Sequence, residues 1–262
     1  MRARQGPICR TSRRGGDCVF PMQPVAGGAG MWQKRFDPKE RESAAMTDFA
    51  TRRRVMVDTQ IRPSDVTKFP IIEAMLEVPR ELFVPDARRE AAYADECVDL
   101  GGGRELLPPR TLAKMLDALS IGPDDLVLDV GCGLGYSTAV IARMAQAVVG
   151  VEQDEAMAAE AEPLLAEIGA DNAIVHAGPL AEGAAEHGPY DVIVIEGGVE
   201  RVPDALIDQL KEGGRIAAIF MDGALGTVKT GLKVGGAVSW RFEFNASARV
   251  LPGFEREHEF AL

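Results

Sequence analysis

Leu128-Asp129-Val130-Gly131-Cys132-Gly133-Leu134-Gly135-Tyr136 joins a short apolar run to a helical pattern. The run Leu126–Val130 has the length and composition of a buried strand. Residues 137–146 read as a helix with Ser137 as its N-cap. Glycines between a strand and a helix let backbone approach a ligand closely, beside the free N–H groups of the helix start. The next run, Ala147-Val148-Val149-Gly150-Val151, predicts a second strand, and it ends at Glu152.

An acidic side chain at that position can accept hydrogen bonds from both ribose hydroxyls of an adenosine ligand. Two ligands compete for such a loop. A dinucleotide fingerprint, G-x-G-x-x-G, needs glycine where Tyr136 stands. The spacing here is G-x-G-x-G, with Asp129 two residues before the first glycine. A carboxylate there repels a pyrophosphate and suits the cationic amino-acid end of S-adenosylmethionine. The loop therefore favours a methyltransferase over a dehydrogenase.

Outward from the loop, helix and strand patterns alternate. Thr47–Ile61 reads as a helix with basic Arg52, Arg53 and Arg54, broken at Pro63. Residues 67–77 read as a second, with Pro70 in its first turn and a stripe of Phe69, Ile72, Met75 and Leu76. Residues 80–100 show little period, and Gly101-Gly102-Gly103 reads as a loop closed by Pro108-Pro109. Leu112, Met115, Leu116 and Leu119 mark the next helix. After Glu152, Asp154 caps a helix that Gly169 ends. Ala173–Val175, Val192–Ile195 and Ile216–Phe220 read as strands, with a helix at about Pro203–Leu210. Alternation of this kind predicts an α/β fold with a mostly parallel sheet covered on both faces. Two alternating runs, Val228–Val234 and Val238–Phe244, flank Gly235-Gly236 and predict a C-terminal antiparallel hairpin. Loop, Glu152 and the turns after Val175 and Ile195 then share the carboxyl edge of the sheet, where such folds bind ligands.

The chain has 262 residues, 29 Lys+Arg and 40 Asp+Glu, a net charge of −11, and 46% hydrophobic residues. That composition is globular rather than disordered. Residues 1–46 differ, with nine Lys/Arg, four Asp/Glu, six Gly and four Pro. They read as a disordered extension, and Met46 as the natural start. The body 47–262 divides into a helical part at 47–109, a cofactor-binding core at 110–222, and a hairpin and tail at 223–262. Its charge of −16 argues against a nucleic-acid partner. No apolar stretch approaches the ~18 residues of a membrane helix, so no membrane partner is expected. Cys97 and Cys132 read as small buried hydrophobes in a reducing cytoplasm. No cysteine–histidine spacing marks a metal site, and His176, His187 and His258 show no partners.

Four segments carry a family resemblance. Val78-Pro79-Arg80-Glu81-Leu82-Phe83-Val84-Pro85 resembles V-P-R-x-x-F-V-P, and Ala92-Tyr93-Ala94-Asp95 resembles A-Y-x-D. Leu128–Ala139 resembles L-E-I-G-x-G-S-G-Y-x-T-A, and Pro203–Arg215 resembles P-x-x-L-x-x-Q-L-K-x-G-G-R. Together they resemble the protein-L-isoaspartate O-methyltransferases, over about Arg54 to Asp222. The resemblance implies a Rossmann-like class I methyltransferase fold, S-adenosyl-L-methionine as cofactor, and a damaged protein or peptide as acceptor. A carboxylate acceptor is already ionised near neutral pH and needs no general base, so alignment would dominate catalysis.

Departures from the family pattern cluster at the acceptor side. Anchored on Pro109, its Thr-Ile-Ser-x-Pro reads Glu105-Leu106-Leu107-Pro108-Pro109, so neither hydroxyl is present. Its G-D-G after the third strand reads Gly178-Pro179-Leu180, which leaves the Leu180 backbone to meet the adenine edge. Glu196, in Ile195-Glu196-Gly197-Gly198, replaces a small uncharged residue at the methyl-donor pocket. The expected cofactor residues are Asp129, Gly131, Gly133, Gly135, Tyr136, Glu152, Gly178 and Leu180. Glu105, Leu107 and Glu196 are the catalytic-side candidates, and Arg104 and Arg110 could hold an anionic acceptor. A methyltransferase of another acceptor, with Glu196 as base or amine-orienting group, and a cofactor-binding regulator without catalysis are the alternatives.

Overall fold

The computed structural model describes residues 48–256; the extension 1–46, the proposed start at Met46 and His258 lie outside them. Helix α1 (48–56) runs into a π turn at Val57–Ile61 and a 3-10 turn at Arg62–Ser64 that contains Pro63. Helix α2 (Phe69–Glu77) follows, then strands β1 (Val98–Gly101) and β2 (Arg104–Leu106), which form an antiparallel hairpin. Next come α3 (Pro109–Leu119), β3 (Leu126–Val130), α4 (Tyr136–Ala142), β4 (Ala147–Glu152), α5 (Glu155–Glu167) and β5 (Ala173–Ala177). The described chain closes with β6 (Tyr190–Val199), α6 (Asp204–Gln209), β7 (Leu210–Asp222), β8 (Leu225–Val234), β9 (Ala237–Asn245) and a segment to 256.

The main sheet has the order β5-β4-β3-β6-β7-β8-β9. β5 through β7 pair in parallel, and β8 and β9 pair antiparallel. The C-terminal hairpin thus forms where the alternating runs placed it, around Gly235 and Gly236 at positive φ. The strand order reverses beside β3, which puts the glycine loop at the switch point.

The central strands are apolar on both faces because both faces are covered. Val127, Val148, Val192 and Val194 face one cluster, with α2, α3 and α4. Their neighbours Leu128, Val149, Ile193 and Ile195 face the other, with Leu206 of α6 and with Leu251 and Phe254. Each such side chain contributes roughly 1.5–3 kcal/mol on burial, so the sheet is the rigid platform for its carboxyl edge.

Several local expectations change. Phe69 and Leu76 of the proposed α2 stripe are exposed, and the buried face is Ile71, Ile72, Ala74 and Met75. Ser137 does not cap α4: Gly135 stands at the cap, and the Ser137 hydroxyl turns to Asp129. Cys97 is exposed rather than buried, whereas Cys132 is buried.

Asp154 caps α5 as expected, its carboxylate accepting from the N–H groups of Ala156 at 2.9 Å and Met157 at 3.1 Å. Asp154→Ala is expected to cost about 1 kcal/mol of stability. Urea denaturation checks this, and an unchanged midpoint would contradict it.

Candidate active site

Gly131 and Gly133 adopt φ of +84° and +56°, which turns the chain back from β3 toward α4. Behind the loop lies Asp129, fully buried, whose Oδ2 accepts from Ser137 at 2.7 Å and Thr138 at 2.6 Å. These hydroxyls tie α4 to β3. Oδ1 of Asp129 has no hydrogen-bond partner.

Glu152, at the end of β4, has no exposed surface. Its Oε1 accepts from the N–H groups of Gln153 at 2.9 Å and Asp154 at 3.2 Å, and its Oε2 from Gly133 at 2.8 Å. The remaining donor is Arg104 of β2. Its Nε lies 3.2 Å from both carboxylate oxygens, and its Nη2 lies 3.1 Å from Oε2. The same Nη2 donates to the Gly131 carbonyl at 2.6 Å. Arg104 is not free to hold an anionic acceptor as the sequence suggests, because its guanidinium is buried and committed to Glu152 and the glycine loop.

Glu196 sits in a bulge. Val194 pairs with Ala217 and Gly198 with Ile219, so residues 195–197 of β6 oppose the single Ala218 of β7. A bulge re-aims side chains at a strand end. Glu196 is buried, with Oε1 unpartnered. Burial drives its pKa well above the usual carboxylate range; Asp129 adds to the rise, while Arg80 and Arg104 oppose it. Burial likewise raises Asp129 to about 6, against the opposing hydrogen bonds of Thr138 and Ser137.

Arg80, from the V-P-R segment, is the site residue that sequence reading missed. It is fully buried, donates to the carbonyls of Ala92 and Leu107 at 2.6 Å each, and lies 4.6 Å from the centre of the Tyr136 ring. Desolvation lowers its pKa. Leu107, at the family's serine position, is buried and offers only that backbone carbonyl. Glu105, at the threonine position, accepts from the Arg249 N–H at 2.7 Å. Arg110 is exposed, paired with Asp95 at 2.9 Å, and lines a cavity of about 500 Å³ with Pro108, Thr111 and Asn245. Leu180 is buried at the end of the segment after β5, and the Gly178 N–H donates to the Glu152 carbonyl at 3.0 Å.

A model of the protein-L-isoaspartate(D-aspartate) O-methyltransferases matches residues 51–222. The chain belongs to the protein-L-isoaspartate O-methyltransferase family. A relative from Roseiflexus castenholzii is 37% identical over 169 residues, 64% of this chain and 77% of that one. Another, from Pelotomaculum thermopropionicum, is 37% identical over 188 residues, 72% of this chain and 81% of its own. A solved protein-L-isoaspartate O-methyltransferase superposes with a TM-score of 0.65 at 24% identity, covering 78% of this chain and 65% of that chain. A Plasmodium falciparum structure described as a complex with S-adenosyl-L-homocysteine gives 0.65 at 19% identity, over 78% and 97%. These likenesses support the fold. Membership carries the enzyme class with it: an S-adenosylmethionine-dependent methyltransferase.

The donor set fits that cofactor. A buried carboxylate at the end of β4, a glycine loop at positive φ and a second buried acidic residue beside it all stand at the switch point. Side chains of the chain itself pack closely on these glycines. A Cβ on Gly131 would come within 2.6 Å of Arg104 Nη2, and one on Gly133 within 2.7 Å of Leu100 Cδ1. One on Gly197 would come within 2.5 Å of Leu251 Cδ2. Among the described residues, no helix is long and apolar enough to cross a membrane.

The raised carboxyls of Asp129 and Glu196 bind protons more tightly folded than unfolded. Their contribution to stability is full below the unfolded pKa and is lost as pH rises through the folded one, about 6 for Asp129 and well above the usual carboxylate range for Glu196. Glu196→Gln, which stays neutral, is therefore expected to match the wild type at about pH 4, below the unfolded carboxyl's ordinary pKa. By pH 8 it should exceed it by on the order of 1 kcal/mol, or about 2–4 °C in Tm. Thermal melts across that range check this, and a pH-independent difference would contradict it.

Proposed function

We propose that Glu152, the Gly131–Tyr136 loop and Asp129 hold S-adenosylmethionine, and that the acceptor is a carboxylate of a protein or peptide, of the isoaspartyl type. The convergence of Glu152 and Gly133 on one hydrogen bond at the switch point carries this reading. The cofactor, when bound, supplies a methyl group on an electron-poor sulfonium sulfur. Glu152 would grip the ribose hydroxyls, and the loop amides and the backbone near Leu180 would lie along the rest of the adenosine. Asp129, fixed by Ser137 and Thr138, would keep the loop in its turn and place acidic character near the cationic end. A cytoplasmic setting belongs to this reading and is supported by the unpaired Cys97 and Cys132.

The acceptor side differs from the family pattern in a specific way. Neither Glu105 nor Leu107 has a hydroxyl to offer a carboxylate, and Glu105 is held by the Arg249 backbone. Arg110, exposed but paired with Asp95, and Lys114 both line the neighbouring cavity and are cations within reach of an anionic acceptor there. A second reading, transfer to a different acceptor, is favoured by Glu196. It is a buried carboxyl with an unpartnered oxygen and a raised pKa, suited to take a proton from a protonated nucleophile.

Methylation of an isoaspartyl peptide by the purified protein tests the first reading against the second. Turnover is expected, and Glu105→Thr with Leu107→Ser is expected to raise it by about tenfold, the scale of one well-placed hydrogen bond. Cofactor binding without turnover on that peptide would reject the carboxylate acceptor. Glu152→Gln is expected to weaken S-adenosylhomocysteine binding by about tenfold or more, measured by calorimetry, and unchanged affinity would remove Glu152 from the site.

A further inference from the structure

We infer that Arg104 is a built-in occupant of the cofactor cleft, a tethered cation that closes the ribose site until the cofactor displaces it. This inference rests on the cofactor reading above. The first observation is saturation. Glu152, the residue that would grip the ribose, already accepts three backbone N–H bonds and the bidentate guanidinium. The second is position. The Arg104 Nη2 packs directly on the glycine loop, within 2.6 Å of where a Cβ on Gly131 would stand. The third is charge. Asp129, Glu152 and Glu196 gather buried carboxyls in one cleft, and Arg104 supplies a positive charge against all three.

The tether is short and structured. Arg104 begins β2, whose partner β1 carries Leu100 onto Gly133, and the intervening turn is Gly101-Gly102-Gly103, all at positive φ. Leu251 closes the other side. Its segment is fastened to β6 by the Gly198 N–H to the Arg249 carbonyl at 2.8 Å and the Leu251 N–H to the Gly198 carbonyl at 2.9 Å. Hairpin and terminal segment meet where Glu105 accepts from Arg249. Cofactor entry thus requires the Arg104 side chain to leave Glu152, and the apparent affinity is lowered by the fraction of molecules in which it has not.

Calorimetry with S-adenosylhomocysteine on the full-length wild type and Arg104→Gln tests this. The variant is expected to bind about tenfold tighter or more. The wild type binding equally well or better would overturn the closure while leaving the cofactor reading intact. No binding by either folded protein would overturn both. Hydrogen exchange on the wild type gives a test that does not depend on the variant folding. Saturating ligand is expected to speed amide exchange in residues 98–106, and slower or unchanged exchange there would contradict the closure.

A separate observation carries a second inference: we propose that His176, Glu186 and His187 form a site for a divalent transition-metal ion of the zinc type. His176 on β5 and the turn at Ala185–His187 bring the three together, which corrects the expectation that these histidines have no partners. Oε1 of Glu186 lies 3.3 Å from His176 Nδ1 and 3.4 Å from His187 Nε2. A tetrahedral ion with bonds of ~2.0–2.1 Å places its ligands about 3.3–3.4 Å apart. Two imidazoles and one carboxylate suit zinc, nickel or copper and leave a fourth position open.

Titration of the metal-free full-length protein with zinc ion tests it. One ion per chain is expected, with affinity falling about tenfold or more in His176→Ala and in His187→Ala. Equal affinity in wild type and both variants, or no binding, would overturn the site.

Discussion

Glu152 is a carboxylate with no solvent-exposed surface, and the carboxyl edge of the sheet is arranged around satisfying it. Three backbone N–H groups and one bidentate guanidinium do so. These four donors come from three separate parts of the chain. Gly133 brings the glycine loop, Gln153 and Asp154 bring the start of α5, and Arg104 brings the β1–β2 hairpin. Removing one partner of such a buried pair leaves an uncompensated charge at a cost of about 3–5 kcal/mol. The hairpin is therefore fastened to the sheet by electrostatics, and the apolar contacts of Leu100 and Leu251 complete the closure.

The same low-dielectric pocket explains the two raised carboxyls. Asp129 and Glu196 share it with Arg104, and Arg80 also acts on Glu196, yet burial outweighs these guanidiniums at both carboxyls. Asp129 is moderated by two hydroxyl donors, and Glu196 has none. A buried proton-binding group at a strand bulge is where functional perturbation is expected.

Much of this was legible in the residues. The runs Leu126–Val130 and Ala147–Glu152 announce parallel strands because covered strands are apolar on both sides. The alternation across Gly235-Gly236 announces a hairpin because one period reverses there. Loop and Glu152 meet because consecutive parallel strands end at the same edge. What the residues did not reveal is pairing across long separations. Nothing local says that Arg104 reaches Glu152, 48 residues on, or that Glu186 lies between two histidines. The bulge at residues 195–197 was equally hidden, because it exists only against the register of β7. Arg80 was visible as part of a family segment, but its role as a buried clamp on the Leu107 carbonyl depends on tertiary contact.

A crystal structure grown with saturating S-adenosylhomocysteine would show whether the glycine loop and Glu152 form the cofactor site and whether Arg104 stands in it. Ribose hydroxyls are expected on Glu152, with the Arg104 guanidinium withdrawn from both Glu152 and the Gly131 carbonyl. A structure in which Arg104 keeps those bonds and the ligand is bound elsewhere, or not at all, would contradict this.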